Sequence, residues 1–80
     1  MPKSVHSARH GLIADAIAAN RRAKGLTQAQ VARSLGRHQP FIANIESGER
    51  RIDLVELLEI AAVIDLDVED LVRRVRQLAG

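Results

Sequence analysis

The sequence predicts an all-α domain of five short helices, and three observations carry that prediction. The composition is rich in alanine, leucine, isoleucine and arginine, and Phe41 is the only Phe, Tyr or Trp, whereas strands draw on aromatic residues and threonine. Apolar residues recur three and four apart along the chain, the spacing of one helix face. Capping residues and glycines punctuate these stretches at intervals that suit short helices.

Eighty residues make one domain. A core this small leaves a net stability of only a few kcal/mol, so a partner subunit would add to it. The absence of cysteine excludes disulfides and cysteine-ligated zinc, and is compatible with a reducing compartment. Apolar runs are short and broken by charge, as in Leu57-Leu58-Glu59-Ile60. No transmembrane helix and no signal-peptide core is expected, which places the chain in the cytoplasm.

Residues 1–6 show no periodicity and read as a flexible basic N-terminal arm, with the domain spanning 7–80. A first helix is expected from about Ser7 to Lys24, with Leu12, Ile13, Ala16 and Ile17 on its apolar stripe and Gly25 as its stop. Thr27 and Gln30 have the spacing of a capping box and open a second helix, about 28–35, whose inner face is Val31, Ala32 and Leu35. Gly36 ends it. The third helix, about 39–47, turns Ile42 and Ile45 inward and closes at Ser47-Gly48; residues 49–52 connect onward. Asp53 and Glu56 form another capping signature, after which Leu54, Leu57, Leu58, Ala61 and Ile64 follow at helical spacing. Asp67 and Asp70 cap a fifth helix, about 68–78, carrying Val68, Leu71, Val72, Val75 and Leu78.

Two short helices joined around a glycine define a helix-turn-helix, here Thr27 to Gly48. Ala32 is small where the helices cross, and Gly36 accepts a positive φ in the turn without a Cβ clash. With Val31, Leu35, Ile42 and Ile45 inside the corner, the outer face of the third helix presents Gln39, Pro40, Ala43 and Asn44. Glutamine and asparagine can pair in bidentate fashion with the N6/N7 edge of adenine. Charge is divided along the chain. Residues 1–52 hold nine Lys/Arg against three acids, +6, and residues 53–80 hold three Arg against seven acids, −4. The first half should feel phosphates and the second should face away from them.

The run Thr27-Gln28-Ala29-Gln30-Val31-Ala32, then Leu35-Gly36, then Ile42-Ala43-Asn44-Ile45-Glu46-Ser47-Gly48, resembles the Xre family of lambda repressor/Cro-like helix-turn-helix proteins. The run Gly48-Glu49-Arg50-Arg51-Ile52-Asp53 resembles a frequent ending of that motif, and the similarity spans roughly residues 12–72. The resemblance implies a compact five-helix, lambda-repressor-like DNA-binding domain. Gln28 matches the family's phosphate-clamping glutamine, helped by the N-terminus of its helix. Gln39, Pro40, Ala43 and Asn44 match base-facing positions, with His38 at their edge. Gly48 to Arg51 matches a backbone-contacting loop, making Arg50 and Arg51 phosphate contacts. Arg21 and Glu46 match a pair that ties the first helix to the third, with Glu46 expected to hold Arg21 toward a phosphate. The sequence also departs from the pattern. Arg37 occupies a slot usually filled by a buried valine or isoleucine, so it must snorkel, turn toward a phosphate, or join His38 in reading bases. Pro40 lies in the first turn, where its missing N–H costs nothing.

These residues lead to double-stranded DNA as the partner, read by a small transcriptional regulator, a repressor, working as a homodimer on a palindromic operator. Val72, Val75 and Leu78 extend the fifth-helix stripe beyond what a small bundle needs, and are assigned to the dimer interface. Asn44 reads a base or reaches a phosphate; Phe41 packs in the corner or touches a thymine methyl. The competing class is a protein-interaction module, best specified as an antitoxin-type regulator that also binds a partner protein such as a toxin or co-regulator. His6 and His10 lie four apart, but no third ligand accompanies them, so no metal and no cofactor is expected. No nucleophile–base pair or glycine-rich phosphate loop is present, which argues against an enzyme.

Overall fold

The computed structural model describes residues 7–78; the expected arm at 1–6 lies outside the described residues. Five helices follow in order: α1 (Ala8–Ala23), α2 (Gln28–Ser34), α3 (Gln39–Ser47), α4 (Leu54–Ile64) and α5 (Val68–Gln77). No strand occurs among the described residues.

Local chemistry sets each boundary. The Ser7 hydroxyl accepts the His10 N–H at 3.1 Å and starts α1. Thr27 and Gln30 form the expected reciprocal box on α2: Gln30 N–H donates to Thr27 Oγ1 at 3.0 Å, and Thr27 N–H donates to Gln30 Oε1 at 2.8 Å. Asp53 and Glu56 repeat that arrangement on α4 at 2.7 and 3.1 Å. Gly36 takes φ 70° in the α2–α3 turn and Gly48 takes φ 86° at the end of α3, both left-handed. The end of α4 uses Asp65 at φ 57°, without a glycine. There Asn20 Nδ2 donates to the Asp65 carbonyl at 3.2 Å and Lys24 Nζ pairs with its carboxylate at 2.7 Å, so α1 grips the turn from the side.

All five helices feed one core. Ile17, Val31, Ile42, Ile45, Ile60, Ile64 and Leu71 are fully buried. α1 is central: it packs on α3, α4 and α5, while α2 packs on α3 and α4. Ala32 is buried in α2, which makes the broadest of these contacts against α3. This leaves α3 with its inner side committed to the core and its outer side unused.

The spacing along α4 is misleading at two positions. Leu57, Ile60, Ala61 and Ile64 face the core, but Leu54 and Leu58 point outward, 65% and 50% exposed, and Val55 joins them at 64%. A helix surrounded by leucines offers two apolar stripes, and α1 and α2 occupy only one of them. α5 is divided similarly: Leu71 is buried, Val75 packs against the core, and Val72 faces out.

Neighbouring leucines on α4 should therefore differ sharply. Leu57→Ala is expected to lower the free energy of unfolding by about 2–5 kcal/mol, and Leu58→Ala by less than about 1 kcal/mol. Urea unfolding of the two variants checks the assignment.

Candidate nucleic-acid interface

The outer face of α3 follows from helix geometry. Successive residues are turned by about 100°, so Ile42 and Ile45 inside place Pro40, Ala43, Asn44 and Ser47 outside. Gln39 and Glu46 then lie along one flank of α3, and Phe41 along the other. Gln39, Pro40 and Asn44 are exposed and Ala43 is half-exposed. His38 caps α3 through its backbone conformation alone, and its side chain is exposed and makes no cap bond.

On the first flank a buried ion pair anchors the helix. Arg21 Nε donates to Glu46 Oε2 at 2.6 Å and Arg21 Nη2 donates to Glu46 Oε1 at 3.0 Å, with side chains only 10% and 6% exposed. The same guanidinium donates from Nη1 to the Leu26 carbonyl at 2.9 Å and closes the α1–α2 loop. Gln28 Nε2 donates to Glu46 Oε1 at 2.9 Å, and Gln39 Nε2 donates to Gln28 Oε1 at 2.9 Å. A chain of bonds thus runs from α1 through Glu46 to Gln28 and out to Gln39. Burial pushes the Glu46 carboxyl up, but hydrogen bonds from Arg21 and Gln28 and the Arg21 charge outweigh it and hold the group below the ordinary glutamate value.

The second flank carries a different cluster. The guanidinium carbons of Arg37 and Arg50 lie 4.1 and 4.8 Å from the centre of the Phe41 ring. Arg50 makes a bidentate pair with Glu56, 2.9 Å on each side, and Arg37 Nη2 lies 3.7 Å from Glu56 Oε2. The loop after α3 sets this up, because the Glu49 and Arg50 amides both donate to the Asn44 carbonyl and turn the chain back. Hydrogen bonding from Arg50 holds the Glu56 carboxyl below its ordinary range against the opposing effect of burial.

The expected site residues are thus distributed over one face and two flanks. Gln28, Gln39 and Arg21 come together on the first flank, but Arg21 is turned inward and its guanidinium is occupied by protein acceptors. Arg37 and Arg50 meet over Phe41. Arg51 is exposed on the loop. Pro40, Ala43 and Asn44 form the face between. Of the residues assigned to a dimer interface, Val72 is exposed, while Val75 and Leu78 are half-buried. Glu56 was legible only as a cap; its grip on Arg37 and Arg50 joins the first turn of α4 to the residues on either side of α3.

The helix-turn-helix family matches residues 17–71, from the buried Ile17 of α1 to the buried Leu71 of α5. The chain belongs to the Xre, lambda repressor-like helix-turn-helix family. α2 and α3, joined through the Gly36 turn, form its helix-turn-helix, and the outer side of α3 is exposed. No curated protein matches the chain in sequence. Xre proteins are DNA-binding regulators. Among the described residues no helix is long and apolar enough to cross a membrane.

Two carboxyls held below the ordinary glutamate value of 4.5 have a consequence for stability. Their folded-state pKa values are depressed, so their contribution is complete above the unfolded carboxylate value and is lost as pH falls through the folded values. Stability measured by urea unfolding should fall on acidification below about pH 4.5. Glu46→Gln should be less stable at neutral pH and show a shallower acid decline.

Proposed function

We propose that this Xre-family chain is a small cytoplasmic transcriptional regulator, a repressor that binds a palindromic double-stranded DNA operator as a homodimer. The observation that carries the reading is the bonded chain Arg21–Glu46–Gln28–Gln39. It leaves one edge of the Gln39 amide outside the protein, at the start of a helix whose outer face is small and polar. In the major groove that amide would meet an adenine edge, and Asn44 would meet a second base one turn along. His38 extends the reading set at its edge, and Pro40 and Ala43 allow the helix backbone to approach the bases closely.

Positioning falls to phosphate contacts. Gln28, Arg50 and Arg51 supply them in this reading. Arg21 contributes from inside, by holding Glu46, and so acts on Gln28 and Gln39 without touching DNA. The homodimer is supported by the marginal size of the core and by the exposed Val72 beside Val75 and Leu78 on α5. A second reading, in which a toxin or co-regulator is also bound, draws on the outward Leu54, Val55 and Leu58.

Selection of bound sequences from a random DNA pool tests this function. The expected product is an inverted repeat with half-site centres about one helical turn apart. Gln39→Ala should lose about 1–3 kcal/mol of discrimination at one base pair in each half-site. Enrichment of no sequence, or an unchanged preference in Gln39→Ala, would overturn the assignment.

A further inference from the structure

We infer that Arg37, Phe41, Arg50 and Glu56 form one preassembled site for a single backbone phosphate of duplex DNA, on the flank of α3 opposite Glu46. The inference rests on the DNA-binding reading above and adds to the Arg50 contact one from Arg37, whose slot the family usually fills with a buried valine or isoleucine.

Two guanidiniums share the Glu56 carboxylate, and the Asp53 charge acts on Arg50 as well, so Arg37 is the less compensated of the two cations. Glu56 is nearly enclosed, its side chain 12% exposed, while those of Arg37 and Arg50 are 44% and 39% exposed. The anion therefore sits beneath and the cations face solvent. The two arginines are not equivalent. Arg50 spends both terminal nitrogens on Glu56 and donates from Nη1 to the Arg51 carbonyl at 2.9 Å. Arg37 has only the long 3.7 Å approach to Glu56, and its remaining order comes from the Phe41 ring. Arg50 is the fixed cation, and Arg37 is the one whose donors are available to a new anion.

Stacking decides which DNA group Arg37 meets. A guanidinium lying on an aromatic ring projects its N–H groups sideways in one plane, a fork that matches two oxygens of a phosphodiester. Arg37 also precedes α3 and stacks on its flank, outside the stripe of Gln39, Pro40, Ala43 and Asn44 that faces the bases. A helix lying in the major groove has a phosphate backbone along each side. Gln28 serves one side, and the Arg37 cluster serves the other. Arg37 is thus assigned to phosphate and not to base reading. Phe41 and Glu56 are positioning residues that act through the two arginines.

Fluorescence anisotropy with a short random-sequence duplex, over a salt series, tests the site. Arg37→Ala should lower the slope of log affinity against log salt by about one and weaken binding several-fold. Phe41→Leu removes no charge and keeps an apolar side chain on the core, yet should lower the slope in the same direction, with little further loss in the double variant. Arg76→Ala, an equal charge change on α5, should leave the slope unchanged. The assembled site is overturned if Arg37→Ala behaves like Arg76→Ala, or if Phe41→Leu retains both helical content and the full slope. Salt-independent or absent binding by the unmodified chain would instead remove the DNA-binding reading beneath it.

Discussion

The Arg21–Glu46 ion pair is the constraint on which the rest of the interface depends. It joins the last turn of α1 to the last turn of α3 with two hydrogen bonds, and the same arginine ties down the α1–α2 loop at Leu26. A buried pair of this kind is poor evidence for stability, because desolvating both charges offsets much of their attraction. Its value here is geometric. Apolar residues of similar volume could fill the space, but they would give Gln28 no acceptor. Gln28 would then have no fixed orientation to pass to Gln39. The cost of burying two charges is exchanged for a fixed amide at the start of α3.

The two flanks of α3 solve one problem with different materials. Each places a largely enclosed carboxylate beside an arginine and uses it to hold polar side chains toward the outer surface. On the Glu46 flank the arginine is inside and glutamines emerge. On the Glu56 flank the arginines themselves emerge, braced by the Phe41 ring. Between them the proposed reading face is sparse, since Pro40 and Ala43 have no donor or acceptor in their side chains. A regulator with few direct readers must draw more of its specificity from the placement of its phosphate contacts and from DNA shape between half-sites. That gives the rigid flanks a larger share of the recognition than the motif suggests.

Much of this was legible in the sequence because it is local. The capping boxes at Thr27 and Asp53, the glycine turn at Gly36 and the inward Ile42 and Ile45 each need only a few neighbouring residues to specify them. The Arg21–Glu46 pairing was accessible through the family resemblance, but the inward direction of Arg21 was not, since burial depends on how α1 lies against α3. The outward Leu54 and Leu58 were missed for the same kind of reason: helical spacing defines stripes, and which stripe is covered depends on where α1 and α2 dock. Glu56 shows the limit most clearly. Its capping role lies within four residues, whereas its hold on Arg37 and Arg50 reaches across the loop between α3 and α4.

In the proposed complex α3 is held from within by Arg21, which does not itself meet DNA. Heteronuclear NMR of the arginine Nε–H signals, recorded free and with duplex DNA, addresses it directly. The Arg21 Nε–H is expected to be protected from exchange in the free protein and to keep its position and protection when DNA is added, while signals from the α3 face and the Arg37 side chain move. A fast-exchanging Arg21 Nε–H, or one that shifts as strongly as Arg37 on binding, would contradict it.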